Sequence, residues 1–82
     1  MRREDALIVM AWLLTHPRSD ANTLGRLVTN GGTPKQVSSA GHHAATDLCR
    51  FGYAVATRVE GRNQSRLLYS LTPKGRRLLR EF

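Results

Sequence analysis

The sequence predicts one small α+β domain with four helices and a two-stranded β-hairpin. Three observations predict it. The first is an apolar run with helical periodicity, and the second is a polar, well-capped stretch with the same periodicity. The third is a pair of alternating segments that flank a short polar loop, ahead of a basic C-terminal stretch. The chain has 82 residues, of which 40% are hydrophobic, so it contains enough apolar material for one core. We therefore assign residues 1–82 to a single domain.

The first helix is predicted from Arg2 to Thr15. Its segment ALIVMAWLL is apolar nearly all round, which is typical of a helix buried on more than one side. We interpret Trp12 as a core or dimer-interface residue. Pro17 ends the helix.

A second, shorter helix is predicted from Asp20 to Thr29, with Ser19 or Asp20 as its N-cap. Asn30-Gly31-Gly32 then provides a turn, because consecutive glycines accept the positive φ angles that tight turns need. Another helix follows directly. Two helices joined by a glycine-bearing turn form a helix-turn-helix pattern.

The third helix, 33–51, is the stretch around which the chain is organised. Thr33 and Gln36 form a capping box, and Gly52 ends the helix. One side of its helical wheel is mainly small and apolar: Val37, Ala40, Gly41, Ala44, Ala45, Leu48 and Phe51. The other side is short, polar and nearly free of acid, as expected of a helix that contacts base edges. An ordinary core helix with a solvated face is the alternative. Glycine costs about 1 kcal/mol relative to alanine inside a helix, so a break near Gly41 is a further alternative.

Two segments, 53–59 and 66–71, alternate as strands do. Tyr53, Val55, Thr57 and Val59 share one face of the first, and Leu67, Tyr69 and Leu71 share one face of the second. The polar loop between them is long enough to close an antiparallel hairpin. A basic-tipped hairpin directly after such a helix has the position of a wing. Thr72-Pro73 then begins the last helix.

The charge is strongly positive and unevenly placed. The chain has 13 Lys and Arg against 6 Asp and Glu, a net charge of +7 and a pI near 11.1. Eight of the basic residues lie between residues 50 and 80, where Glu60 is the only acid. This balance favours a polyanionic partner, with nucleic acid first and an anionic membrane surface second. The longest apolar run, nine residues, is too short to span a membrane. The single cysteine, Cys49, suits a reducing cytoplasm, where we expect the protein to act.

The segments LCRFGYA and LLYSLTPKGRRLL, with a basic hairpin between them, resemble the winged helix-turn-helix domains of bacterial transcription regulators, particularly the MarR and PadR groups. The matching positions are Leu48 and Gly52 before the hairpin and the YSLTPKG segment after it. The resemblance covers about residues 20 to 80. It departs from the family at Gly41, where an aliphatic residue is usual, and in a longer spacing between Leu24 and Gly52.

The resemblance implies that helix 33–51 enters the major groove of duplex DNA, with the hairpin on the flanking minor groove or backbone. The expected DNA-binding residues lie on the helix, on the wing and at the start of the last helix: Thr33, Lys35, Ser38, Ser39, His42, His43, Thr46, Arg50, Arg58, Arg62, Asn63, Gln64, Arg66 and Lys74. Among them, Lys35, Arg50 and Lys74 are candidate phosphate contacts, and Thr33 contributes through its helix N-terminus.

Catalysis, a cofactor and a metal are not expected. The sequence has no carboxylate pair at a plausible spacing, no nucleophile with a recognisable base and no glycine loop for phosphates. The adjacent His42 and His43 lack a third ligand at metal spacing.

The leading hypothesis is a sequence-preferring DNA-binding protein, a small transcription regulator that acts as a homodimer, with Trp12, Leu79 and Phe82 as candidate interface residues. Two alternatives remain: a winged-helix module that binds a protein partner, and an accessory protein that binds DNA for architecture in replication, excision or packaging. Dependence of DNA binding on salt and on the wing arginines separates the leading hypothesis from the protein-interaction module.

Overall fold

The computed structural model describes residues 2–62 and 65–81. The predicted helices and hairpin are all present, with ends within two residues of the expected positions. In chain order the elements are α1 (Arg3–Thr15), β1 (Ser19–Asp20), α2 (Ala21–Val28), α3 (Pro34–Arg50), β2 (Ala54–Glu60), β3 (Ser65–Leu71) and α4 (Pro73–Arg80).

The sheet has three antiparallel strands in the order β1-β3-β2, where the sequence had predicted a two-stranded hairpin alone. The added strand, β1, pairs Ser19 with Tyr69 and Asp20 with Leu68. Its sequence carries no alternating pattern because it is only two residues long. Side-chain hydrogen bonds support this pairing: the indole N–H of Trp12 donates to Ser19 Oγ at 3.0 Å, and the Arg18 backbone N–H donates to Ser70 Oγ at 3.1 Å.

The core lies between the helices and the inner face of the sheet. Its buried side chains come from α1, α2, α3, β2 and β3: Val9, Met10, Leu13, Leu24, Ala44, Ala45, Leu48, Ala54, Tyr69 and Leu71. The small residues on the inner side of α3 allow that helix to approach α2 closely. Phe51, which the helical wheel placed on the inner side, is 58% exposed at the C-cap of α3, where it lines a groove with Leu48 and Leu78.

Helix α3 is continuous from Pro34 to Arg50, so the alternative of a break near Gly41 is wrong. Tertiary packing explains the glycine. A Cβ at Gly41 would overlap the carbonyl oxygen of Ala21 in α2, and a Cβ at Gly25 would overlap the carbonyl oxygen of Val37 in α3. Both glycines are required by the close crossing of α2 and α3, which outweighs the weak helix propensity of glycine.

The hairpin is paired from Ala54–Leu71 at its base to Glu60–Ser65 near its tip. Directly paired residues of antiparallel strands lie on the same face, so Ala54 and Ala56 share the inner face with Leu71 and Tyr69. Val55 therefore points outward and is 50% exposed. The sequence predicted one face formed by Tyr53, Val55, Thr57 and Val59. Val55, Thr57 and Val59 do share a face, the outer one, whereas Tyr53 precedes β2 and packs against the core.

Candidate nucleic-acid interface

The outer face of α3 is formed by exposed polar side chains. Successive residues of an α-helix are rotated by about 100°, so the buried residues lie on one side and the remaining positions face solvent. The exposed positions from the predicted DNA-binding set are Lys35, Ser38, Ser39, His42, His43, Thr46 and Arg50. The one acid of this helix, Asp47, is half-buried on the flank, where it lines a small cleft with Asp5 of α1. The outward face itself carries no carboxylate.

A cleft of about 280 Å³ joins α3 to the hairpin. Ser38 and His42 line it from α3, and Arg66 lines it from β3. Asp20 and Asn22, at the start of α2, form its other wall. Three of the predicted DNA-binding residues, from segments far apart in sequence, therefore share one depression.

His42 is positioned by the buried core. The hydroxyl of Tyr69 lies 3.5 Å from His42 Nδ1, and Tyr69 is only 2% exposed. Burial raises the pKa of the Tyr69 phenol, and nearby Cys49 adds a smaller effect in the same direction. The phenol is therefore neutral at physiological pH, so it can either donate to or accept from the imidazole.

His43 lies on the opposite flank of α3. It lines the cleft that contains Asp5, Val28 and Asp47 rather than the one that contains Arg66. The two histidine rings lie 6.3 Å apart, at an angle of 64°. The adjacent histidines thus extend the outer face in two directions, and only His42 reaches toward the hairpin.

Asp20 and Asn22 are part of this cleft, although no pattern in the sequence indicates it. Asp20 was predicted only as a helix cap, and Oδ1 of its side chain does accept from the Thr23 backbone N–H at 2.8 Å. That bond and a side-chain hydrogen bond from Thr23 are the main reason that the pKa of Asp20 is lowered. Partial burial acts in the opposite direction, and the positive charges of Arg66 and Arg26 lower the pKa further. The proximity of Asp20 to Arg66 follows from the pairing of β1 with β3, which no local pattern reveals.

The N-terminus of α3 is closed by the predicted capping box. Thr33 N–H donates to Gln36 Oε1 at 2.9 Å, and Gln36 N–H donates to Thr33 Oγ1 at 3.2 Å. Pro34 has no N–H. The Lys35 amide is therefore the first-turn donor that the box does not use, and it lies next to the Lys35 ammonium group. A phosphate at this end would meet one amide and one ammonium group.

The hairpin carries its arginines beyond the core. Arg58, Arg62 and Arg66 are all exposed. Arg58 pairs with Leu67 on the inner face, whereas Arg66 pairs with Val59 on the outer face. The guanidinium groups therefore lie on both faces of the ribbon. The other two predicted hairpin residues, Asn63 and Gln64, lie outside the described residues.

Lys74 is bound to the end of α3. Its ammonium group donates to the Phe51 carbonyl at 2.9 Å and lies 5.1 Å from the centre of the Tyr53 ring. A cation at a helix C-terminus interacts favourably with the helix dipole. The neighbouring Thr72 hydroxyl donates to the Gly52 carbonyl at 2.7 Å. These bonds fix the junction between α3, the hairpin base and α4, and they give Lys74 a structural role beside its predicted phosphate contact.

Within residues 2–62 and 65–81, no three His, Cys, Asp or Glu side chains lie close enough to hold a metal ion together. None of the helices in the described part of the chain has the length and apolar content needed to cross a membrane. Burial raises the pKa of the Cys49 thiol, so this cysteine is not activated as a nucleophile.

Comparison with known proteins gives a likeness in fold. No protein-family model matches the chain, and no match is found among curated protein sequences. Among solved structures, the chain is similar to a protein from Thermoplasma acidophilum described as a "putative transcriptional regulator", with a TM-score of 0.74 and 15% sequence identity over 94% of this chain and 72% of that one. The α+β arrangement of four helices and a three-stranded antiparallel sheet is thus one that occurs in a regulator-like protein.

Proposed function

We propose that the chain is a winged helix-turn-helix domain, of the kind found in MarR and PadR regulators, that binds double-stranded DNA and regulates transcription in the cytoplasm. Helix α3 enters the major groove, and the β2–β3 hairpin is the wing that contacts the flanking backbone or minor groove. The observation that carries the proposal is the acid-free outer face of α3, continuous through the cleft with the arginine-bearing hairpin.

The α3 residues have the chemistry of a groove reader. Ser39, His42 and Thr46 can each donate or accept a hydrogen bond to a base edge. None of them makes the bidentate contact by which arginine selects guanine, so base discrimination by this face is modest. Lys35 and Arg50, near the two ends of the same helix, would fix its register through phosphates.

The wing supplies affinity rather than sequence preference. Arg58, Arg62 and Arg66 extend on both faces of a ribbon that leaves the core, a geometry suited to following a phosphate backbone or entering a narrow minor groove. The pairing of β1 with β3 fixes the direction in which this ribbon leaves the domain.

A homodimer is part of the proposal. One small reader contacts few base pairs, and two readers related by a two-fold axis double the site. Of the interface residues expected from sequence, Leu79 is half-buried on α4, and Phe82 lies outside the described residues. Trp12 packs against the core, and its ring stacks on His16 at 3.7 Å.

Fluorescence anisotropy with random-sequence duplex DNA across a salt series tests the proposal. The wild type should bind with log K falling steeply as log salt rises, because each phosphate contact releases counterions. Arg58→Gln and Arg62→Gln should each reduce that slope by about one. Arg77→Gln, which removes the same charge from the exposed side of α4, is the matched control and should leave the slope unchanged.

If the wing and control substitutions changed the slope of log K against log salt equally, the proposed wing contact would be rejected. Only a general effect of net charge on DNA binding would remain. A folded wild type that does not bind duplex DNA at low salt would reject DNA binding altogether. That result would favour the alternative in which the basic hairpin binds an acidic protein.

A further inference from the structure

Tyr69 lies in the middle strand of the sheet, where it is held on both sides. Its backbone pairs with Ser19 of β1 and with Ala56 of β2. The side chain belongs to the core and is 2% exposed. Because both the backbone and the ring are held in place, the fold itself sets the position of the phenol hydroxyl.

This hydroxyl faces one nitrogen of an exposed histidine on α3. Its oxygen lies 3.5 Å from Nδ1 of His42, and among residues 2–62 and 65–81 neither side chain has another hydrogen-bond partner. A separation of 3.5 Å is at the long end for a hydrogen bond. The imidazole is the partner that can shorten it, since His42 is exposed on the helix whereas Tyr69 is buried.

The chemistry of the two groups decides which of them donates. A phenol has one hydrogen to donate, and an unprotonated imidazole nitrogen is a better acceptor than a phenol oxygen. Burial raises the pKa of the Tyr69 phenol, so the hydroxyl keeps its hydrogen. A buried hydroxyl without an acceptor for that hydrogen is costly. The phenol is therefore the donor, and Nδ1 of His42 accepts.

Nε2 is the nitrogen of His42 that remains for a ligand. The two nitrogens lie on different edges of the ring, so an imidazole whose Nδ1 faces the core presents Nε2 away from it. A neutral imidazole that accepts through Nδ1 carries its hydrogen on Nε2, and a protonated imidazole carries a hydrogen on both nitrogens. Nε2 is thus a hydrogen-bond donor in either state.

We infer that Tyr69 is a positioning residue that makes His42 a hydrogen-bond donor in the major groove, and that this donor selects guanine at the base pair it reaches. The inference rests on the proposed DNA-binding function and names the base that one residue of α3 reads. On the major-groove edge, guanine presents two acceptors, N7 and O6, whereas adenine and thymine present one each and cytosine presents a donor. A single N–H group therefore finds the most acceptor on guanine and none on cytosine.

The first test is the state of the imidazole in the free protein, which requires no DNA. Long-range proton–nitrogen correlation NMR at alkaline pH, where imidazoles are neutral, should show His42 with its hydrogen on Nε2. Tyr69→Phe removes only the hydroxyl and should shift the Nδ1 resonance. Tyr53→Phe removes the same group from a half-buried tyrosine outside the cleft and is the matched control. Circular dichroism establishes that both variants are folded.

The second test locates the base. Each guanine of a selected operator is replaced in turn by 7-deazaguanine, which lacks N7, and by inosine, which loses only the minor-groove amino group. At one position 7-deazaguanine should weaken binding of the wild type by about fivefold and binding of His42→Ala not at all, while inosine affects neither. Tyr69→Phe should lose most of the wild-type sensitivity at that position, and Tyr53→Phe should retain it.

The inference would be overturned by a neutral His42 with its hydrogen on Nδ1, or by an operator in which no effect of 7-deazaguanine depends on His42. A folded Tyr69→Phe protein as sensitive as the wild type would also overturn it. The first two results need no tyrosine variant, and all three can occur while the wild type still binds random duplex. A folded wild type that does not bind random duplex would instead reject the proposed function and the guanine contact together.

Discussion

Gly41 of α3 lies directly against the carbonyl oxygen of Ala21 in α2, with no room for a β-carbon between them. Gly25 of α2 makes the reciprocal approach to the Val37 carbonyl of α3. The backbones of the two helices therefore meet at two glycines, one on each helix. This contact determines how far the outer face of α3 projects from the domain.

Gly41→Ala should destabilise the domain although alanine is the better helix former. The added methyl group forces the two backbones apart, and overpacking of this kind costs about 2 kcal/mol, more than the roughly 1 kcal/mol that alanine gains in an isolated helix. Urea denaturation measures the difference. Ser39→Ala, on the exposed side of the same helix, is the control and should be close to neutral; an equally stable Gly41→Ala protein would mean that the helices cross at a greater distance.

Lys74→Met should lower the free energy of unfolding by about 1 kcal/mol, because it removes the charged donor to the Phe51 carbonyl at the end of α3 while retaining the apolar stem. Thermal or urea unfolding at low ionic strength checks it. Lys35→Met removes the same charge from the exposed first turn of α3. A similar loss of stability in that variant would indicate a general charge effect rather than a helix cap.

Asp20 should make stability depend on acid pH. Its pKa is lowered in the folded state, chiefly by the hydrogen bonds from Thr23, so the unfolded chain takes up the proton more readily. The stabilisation is fully present above the ordinary pKa of 3.8 and is lost as pH falls from there through the folded-state pKa. Urea midpoints measured from pH 6 down to pH 2 should decline less steeply in Asp20→Asn than in the wild type.

Glu60→Gln is the matched control for that series, since it removes an exposed carboxylate from β2. Its midpoints should decline with pH as those of the wild type do. Identical pH profiles for the wild type and Asp20→Asn would contradict the linkage.

Thr46→Ala and His42→Ala should reduce discrimination between DNA sequences rather than affinity for DNA in general. Each removes a neutral hydrogen-bonding group from the outer face of α3, so binding to a selected operator should weaken by about tenfold while binding to random duplex stays nearly constant. Competition binding against both DNAs provides the measurement. Arg58→Gln should instead weaken both to a similar extent, and the same pattern for Thr46→Ala would place Thr46 on the backbone rather than on bases.

The sequence predicted the parts of the fold that depend on local signals. Helix α3 begins after Thr33 and ends before Gly52 because the capping box and the terminal glycine act over three or four residues. Tyr69 and Leu71 were recognised as one face of a strand by their alternation. These signals operate in any sequence, independent of what the element packs on.

The features that the sequence missed depend on contacts between distant segments. Alternation shows which residues of β2 share a face but not which face is buried, and only the pairing of Ala54 with Leu71 decides that Val55 points outward. Gly41 suggested a break because helix propensity disregards the neighbouring helix. The cleft residues Asp20 and Asn22 were missed because a two-residue strand brings them beside Arg66.

The stacking of Trp12 on His16 has a practical consequence for every measurement described above. Trp12 is the only tryptophan of the chain, so its intrinsic fluorescence reports on one place, the junction of α1 with β1, where its indole N–H is bonded to Ser19. It does not belong to the outer face of α3. Its emission therefore follows unfolding while changing little on DNA binding, and this gives the protein an internal optical probe that separates loss of structure from loss of DNA binding.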